Sequence, residues 1–393
     1  MRWDIFCRVI DNLGDIGVCW RLAAELAARG ESVRLWVDAP APLAWMVPGG
    51  RDGAARLGVS LRDWDPASQA SDEPGEVVVE AFGCDPHPGF LAAMALATRA
   101  RGAQPAWFNL EYLSAEDWVT RCHGLTSPVL AGPAAGLSKR FFYPGFTPGT
   151  GGLVRERGLE ERQARFDRAA WMAGLGLAPT TPGEPLVSLF CYEPPALPGL
   201  LEQLAADGAR LLVTPGRAHT ALEAALATLG SAPHPAWDLL PPLPQSGFDE
   251  LLWACDLNFV RGEDSLVRAL WAGRPFVWQI YPQHDGVHLD KLAAFLDWLE
   301  APASLRQAHA AWNAPRGTAP NLAGAGEAAP GTGALPWPAL DLPAWTQATR
   351  AARERLGAGP ELVAQLMEAA QRWVGCPTGA AEGSAGGSPS ESG

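Results

Sequence analysis

The segment Asp11-Asn12-Leu13-Gly14-Asp15-Ile16-Gly17 puts two carboxylates and two glycines into one short stretch. A carboxylate fixed at a turn can take a proton as a general base. Gly14 and Gly17 permit a tight turn and close approach of a ligand. The same residues also suit an ordinary strand-to-helix turn, with Asp15 favoured near a helix N-terminus by the dipole. A second set is Arg261-Gly262-Glu263-Asp264-Ser265. It opens a helix, where free backbone N–H groups and the positive dipole end suit a phosphate. Arg261 adds a planar fork that matches a diphosphate. Glu263 and Asp264 would repel that diphosphate if both faced it, so at least one must cap the helix, meet a ribose hydroxyl or face a cation. A simple capping sequence with Arg261 in a surface ion pair is the competing explanation.

Phe190 and Tyr192 end a strand, and Phe248 precedes a helix on the same rim. Aromatics there can stack on a nucleobase, although residues of this kind more often belong to a core. His284 and His288 have the spacing to share a metal on a helix, but no HExxH and no completing Cys or carboxylate set accompanies them. Hydrogen bonding or a pocket wall is the expected role, and no metal is expected. Gly174-Leu175-Gly176 and Gly324-Ala325-Gly326 lack the strand–helix setting and the full GxGxxG of a dinucleotide loop. No Walker loop and no GxSxG are present.

These residues need a scaffold of alternating strands and helices. Continuous apolar runs at 3–10, 32–38, 59–64, 76–83 and 107–112 read as strands, with helices at 18–29 and 89–100. Such runs separated by helices predict a parallel sheet covered on both faces. A charged helix-like stretch follows at 156–173, then a Pro/Gly/Thr linker at 178–185. The pattern restarts with strands at 186–192, 209–214, 255–260 and 275–280 and helices near 197–206, 218–228, 264–272 and 288–299. The expected organisation is two Rossmann-like halves: 1–178 and 179–358, hinged near 180. An irregular insert fills 313–340, helices cover 342–356 and 360–374, and segment 359–376 packs back on the first domain. The Gly/Ser-rich tail 377–393 is expected to be disordered. In an open α/β sheet the cleft lies beyond the carboxyl ends of the strands, where both charged sets fall.

The 393 residues are long enough for two domains. A net charge of −13 argues against a general nucleic-acid binder. No long uncharged apolar run suggests a membrane span or a secretion signal. The seven cysteines are odd in number and lack CxxC spacing, which fits reduced thiols packed as small hydrophobes in the cytoplasm.

Several segments together resemble the family of bacterial arginine rhamnosyltransferases that modify translation elongation factor P, called EarP. They are Asp11 to Val18, Glu80 to Cys84, Asn109 to Trp118, Phe142 to Thr147, Leu189 to Glu193, Phe259 to Ser265 and Trp278 to Gln283. The resemblance spans about residues 3–300 and, weakly, the last helices. It implies a GT-B fold, with two Rossmann-like domains facing each other across a cleft. It implies an inverting transfer of rhamnose from dTDP-β-L-rhamnose to an arginine of elongation factor P, with no further cofactor. By position, Asp15 matches the general base, and Asp11 and Glu263 match the other acids needed for activity. Phe190, Tyr192, Phe248, Arg261, Asp264, Ser265 and Gln283 match the donor pocket, while Asn12, Gly14 and Gly17 line the donor/acceptor cleft. Pro242 stands about where the family tends to place an aromatic, so base stacking is expected to be weaker or supplied elsewhere. The insert 313–340 is longer and richer in Gly and Pro than the family suggests.

The implied chemistry is demanding. A guanidinium is charged and delocalised, hence a poor nucleophile. Asp11, Asp15 and Glu263 form a carboxylate cage that localises its charge, orients one nitrogen and accepts the proton as the C–N bond forms. Arg261 and the helix start stabilise the departing diphosphate without a metal. Two other readings stand beside this one: a GT-B transferase or sugar-nucleotide epimerase acting on a small molecule, and a non-catalytic nucleotide-binding module.

Overall fold

Runs rich in Val, Leu, Ile and aromatics can be buried on both faces only if helices cover both faces. A computed structural model of the chain, describing residues 1–9, 13–65, 72–283, 286–315 and 337–375, has this arrangement twice. Among the described residues, the strands are β1 (Arg2–Cys7), β2 (Ser32–Val37), β3 (Val59–Asp63), β4 (Val77–Ala81), β5 (Ala106–Leu110), β6 (Thr126–Pro128) and β7 (Ser138–Phe142) in the first lobe. Those of the second are β8 (Leu186–Leu189), β9 (Arg210–Val213), β10 (Ala236–Leu239), β11 (Leu257–Arg261) and β12 (Phe276–Gln279). The first sheet runs β3-β2-β1-β4-β5-β7-β6 and is parallel except at the β6–β7 pair. The second runs β10-β9-β8-β11-β12 and is parallel throughout. Both have a central strand where chain order reverses, the topological switch point at which open α/β sheets bind ligands.

Each lobe has its own core. Trp3, Ile5, Leu35, Val79 and Phe108 of the first lobe are shielded from solvent, as are Leu189, Leu211, Phe259 and Val277 of the second. Each such side chain contributes about 1.5–3 kcal/mol on burial. The helix Leu342–Gly357 seats Trp345 in the core of the second lobe. The last helix, Leu362–Gly375, instead places Leu362, Val363, Leu366 and Ala370 in the core of the first. Leu362 N–H donates to the Leu153 carbonyl at 3.0 Å, and Arg29 pairs with Glu361 at 2.7 Å.

Several element boundaries differ from the sequence expectation. The first strand ends at Cys7 rather than residue 10, and the second-lobe strand ending near 260 extends through Arg261. The charged stretch 156–173 forms two helices, Leu159–Ala164 and Arg168–Gly174. Asp167 interrupts it by capping the second, accepting from Ala169 and Ala170 N–H at 2.9 and 3.1 Å. Strands β6, β7 and β10 and the helix Ala303–Trp312 have no counterpart in the pattern reading, and the helix expected after Phe248 starts earlier, at Gln245, so that Phe248 lies within it. Most of the insert 313–340 and all of the tail 377–393 lie outside the described residues, and so do Asp11, Asn12, His284 and Cys376.

Candidate active site

The carboxyl ends of β8 and β11 open onto a cavity of about 370 Å³ between the lobes. One wall comes from the β11-to-helix turn. β11 ends at Arg261, and Gly262, with φ +70°, starts the helix Gly262–Ala272. Only glycine takes that backbone conformation without strain, so the turn can be this abrupt. Arg261 N–H donates to Ser265 Oγ at 3.1 Å, and the Ser265 hydroxyl bonds back to the Arg261 carbonyl. Ser265 thus fixes the helix start, whose residues Arg261, Asp264 and Ser265 line one part of the cavity.

Arg261 is buried and aromatic-clamped. Its guanidinium lies over the rings of Phe190 and Tyr192, at 4.5 and 4.7 Å, and Nη1 donates to the Cys191 carbonyl at 3.1 Å. Phe248 packs edge-on to Phe190 at 5.3 Å. Tyr192 is held by its own N–H, which donates to Gln279 at 2.8 Å. The cavity therefore has a cation at one end and aromatic faces beside it. Gln245 adds a buried amide oxygen without a hydrogen-bond partner among the described groups. An orphaned buried acceptor is costly, so a ligand N–H at this point would be stabilising. Pro241, Pro242 and Leu243 complete the apolar side, and Pro242 lies where an aromatic was expected.

The first lobe closes the cavity with Leu13, which caps the helix Gly14–Ala28, with Gly14 and Arg21 of that helix, and with Trp45 and Met46. Gly17 faces the second lobe so closely that a Cβ there would lie 2.9 Å from Gln245 Nε2 and 3.1 Å from Asp264 Oδ2. A side chain at this position would force the ends of Gln245 and Asp264 to shift. Asp15 is buried in the first turn of the same helix.

The acids fall into distinct settings. Asp264 lines the cavity and accepts from Arg21 Nε at 3.1 Å. Burial raises its carboxyl pKa above the ordinary value, against the pull of Arg21 and Arg268. Glu263 points the other way, across the interlobe seam. It accepts from Leu113 N–H at 2.8 Å and pairs with Lys291 at 2.6 Å. Gln283 is exposed, outside the cavity lining, and its N–H donates to His288 Nδ1 at 3.2 Å. That bond gives His288 a structural role. Among the described residues no group of three or more His, Cys, Asp or Glu side chains could hold a metal ion. The described cysteines are free thiols, and burial pushes that of Cys84 up to about 12.

The structure thus gathers Gly14, Phe190, Tyr192, Phe248, Arg261, Asp264 and Ser265 around one cavity. Arg21, Trp45, Gln245 and the Thr214–Gly216 turn also line it and carried no recognised signal. Arg21 alone left a trace: it is one helical turn beyond Gly17 and one turn before Glu25, a cation on the helix line that also carries the second glycine of the turn.

A family model described as elongation-factor P (EF-P) rhamnosyltransferase EarP matches residues 3–371. The chain belongs to the EarP family. Protein-arginine rhamnosyltransferase from Pseudomonas aeruginosa is 44% identical over 95% of this chain and 99% of its own length. The protein of the same name from Neisseria meningitidis serogroup B is 37% identical over 75% of this chain and 77% of its own. A solved structure, described as the structural basis for EarP-mediated arginine glycosylation of translation elongation factor EF-P, covers 94% of this chain and 99% of its own. It aligns with a TM-score of 0.59 at 29% identity. The two facing Rossmann-like lobes are those of a GT-B glycosyltransferase. Among the described residues no helix is long and apolar enough to cross a membrane.

Proposed function

We propose that this chain transfers L-rhamnose from dTDP-β-L-rhamnose to an arginine side chain of translation elongation factor P, with inversion at the anomeric carbon. The observation that carries the reading is the cavity wall of Phe190, Phe248 and Arg261 at the start of the Gly262 helix, in a member of this family. The nucleobase stacks against Phe190 and Phe248, and Gln245 Oε1 accepts its N–H. Base stacking of this kind is worth about 1–3 kcal/mol. The diphosphate lies against the helix N–H groups and Arg261. These balance the negative charge that grows on the leaving oxygen, so no metal ion is required. A chelator such as EDTA should leave the rate unchanged, and an EDTA-sensitive rate would refute this charge assignment.

The acceptor arginine enters from the open side of the cleft. Asp15 and Asp11 orient its guanidinium, and Glu263 joins them from the second lobe by exchanging its bond to Lys291 or Leu113 N–H for one to the incoming cation. One guanidinium nitrogen forms the bond to C1 while the bond from C1 to the diphosphate oxygen breaks. The proton released from that nitrogen passes to Asp15. A single displacement turns the β donor into an α product. The protein acts in the cytoplasm, where sugar nucleotide and translation factor meet. Incubation with both substrates, followed by intact-mass and fragment analysis, tests the reading. One deoxyhexose on a single arginine of the factor is expected. An unmodified factor, with transfer to a small hydroxylated acceptor instead, would favour the small-molecule alternative.

A further inference from the structure

Arg21 lines the cavity, yet the reaction as described does not use it. It is an acceptor-lobe residue with only 5% of its side chain exposed. A guanidinium has five N–H groups. Here Nε donates to Asp264 at 3.1 Å, and Nη1 donates to Glu156 at 2.8 Å and to Asp249 at 3.3 Å. Nη2 donates to Asp249 at 3.0 Å and to the Gln245 carbonyl at 3.3 Å. Every N–H has a protein acceptor, so Arg21 cannot serve a phosphate without giving one up. Arg268 completes the cluster, pairing with Asp249 at 2.7 Å and Glu156 at 2.6 Å. Two buried cations thus face three carboxylates. Of those three, only Asp264 lines the cavity. Without Arg21, Asp264 would keep only a long contact with Gln245 Nε2 at 3.5 Å and the more distant charge of Arg268, and its carboxylate would repel the expected diphosphate more strongly.

We propose that Arg21 is a positioning residue for sugar transfer: it holds Asp264 in place and offsets its charge at the cavity wall, so that a diphosphate is accepted beside an acid. Because Arg21 and Asp264 belong to different lobes, this shorter of the acid's two side-chain contacts is made only while the lobes are together. Asp264 then keeps an orientation in which it can accept a hydrogen bond from a donor-sugar hydroxyl. Lysine is a poor substitute, because a single ammonium cannot reach three carboxylates and a carbonyl in a fixed fork. The inference rests on the transfer reading, but the calorimetric arm of its test does not depend on turnover.

The test compares wild type, Arg21→Met, Asp264→Asn and the double variant. Each is measured by calorimetry with thymidine diphosphate, by donor and acceptor KM, and by thermal denaturation. Arg21→Met should weaken nucleotide binding and raise donor KM about tenfold or more, within the range of coupled charges, and leave acceptor KM unchanged. Asp264→Asn should be milder, and the double variant no worse than Asp264→Asn, because removing the acid removes the need for its partner. Arg21→Lys should fall between wild type and Arg21→Met. Nucleotide binding by Arg21→Met equal to wild type would overturn the proposal. So would a double variant whose loss is the product of the two single losses. Should Arg21→Met fail to fold, Arg21→Gln replaces it with the same two outcomes. A wild type that binds thymidine diphosphate but transfers no rhamnose would sink the transfer reading alone, leaving the Arg21 comparison to be decided by calorimetry.

Discussion

Substituting Gly17 by alanine adds a single methyl group where the two lobes meet in tight contact. The new Cβ would lie 2.9 Å from Gln245 Nε2 and 3.1 Å from Asp264 Oδ2, both inside normal contact distance. Two effects oppose each other in stability. Alanine is favoured over glycine inside a helix by about 1 kcal/mol. Overpacking by one methyl costs about 1–3 kcal/mol. The net change should therefore be at most about 2 kcal/mol, a shift of a few degrees in melting temperature. Activity should change much more. Gln245 is the orphaned acceptor of the cavity, and Asp264 is held at 3.1 Å by Arg21, so the methyl displaces two cavity-wall groups together. A displacement of about 1 Å near reacting groups can reduce a rate about 100-fold. Steady-state kinetics with varied donor, beside a thermal melt, should show a donor KM raised about tenfold or more in a protein that remains folded. A folded Gly17→Ala variant with wild-type donor KM and turnover would refute the claim that the lobes must meet this closely.

Asp15→Asn should bind thymidine diphosphate as wild type does yet lose transfer, since the amide cannot take the proton; near-normal turnover would require another base. Arg261→Ala should weaken nucleotide binding about 10- to 100-fold, the range for lost charged hydrogen bonds, as measured by calorimetry; unchanged affinity would move the diphosphate elsewhere. His309 is fully buried in the second lobe, its Nε2 accepting from Trp278 N–H at 3.0 Å, and burial holds its pKa down, at about 4 against an ordinary 6.5. The neutral ring thus contributes fully above pH 6.5 and loses its contribution as pH falls through that value toward 4, for a total of about 3 kcal/mol. His309→Gln should flatten the fall in melting temperature between these pH values, and an unchanged slope would assign the acid sensitivity to other groups.

The strand–helix alternation was legible because strands buried on both faces are mostly apolar, as β4 (Val77–Ala81) is around its one acid, Glu80, and β11 (Leu257–Arg261) is at Leu257, Phe259 and Val260. The turn at Arg261 to Ser265 was legible because a strand, a glycine and a helix start in succession leave few geometries. Glu263 and Asp264 posed a charge conflict in sequence, and the structure resolves it by sending them to different partners. Glu263 crosses to Leu113 and Lys291, while Asp264 stays at the cavity with Arg21. What sequence could not supply was the pairing of distant segments. Arg21, Glu156 and Asp249 meet only because the lobes fold against each other, and each alone resembles a surface charge. Strand β7 (Ser138–Phe142) carries Lys139 and Arg140 beside an edge, which hid it from an apolar pattern. Its Lys139 is balanced by the buried Glu80, a partner far away in sequence.

The central claim is that a nucleoside diphosphate occupies the aromatic cavity with its phosphates at the start of the Gly262 helix. A crystal structure of the protein with thymidine diphosphate tests it most directly. The account predicts the base against Phe190 and Phe248 and the diphosphate within hydrogen-bond distance of Arg261 and the Gly262 helix start. A nucleotide bound outside that cavity, or one with its phosphates turned away from Arg261, would contradict it.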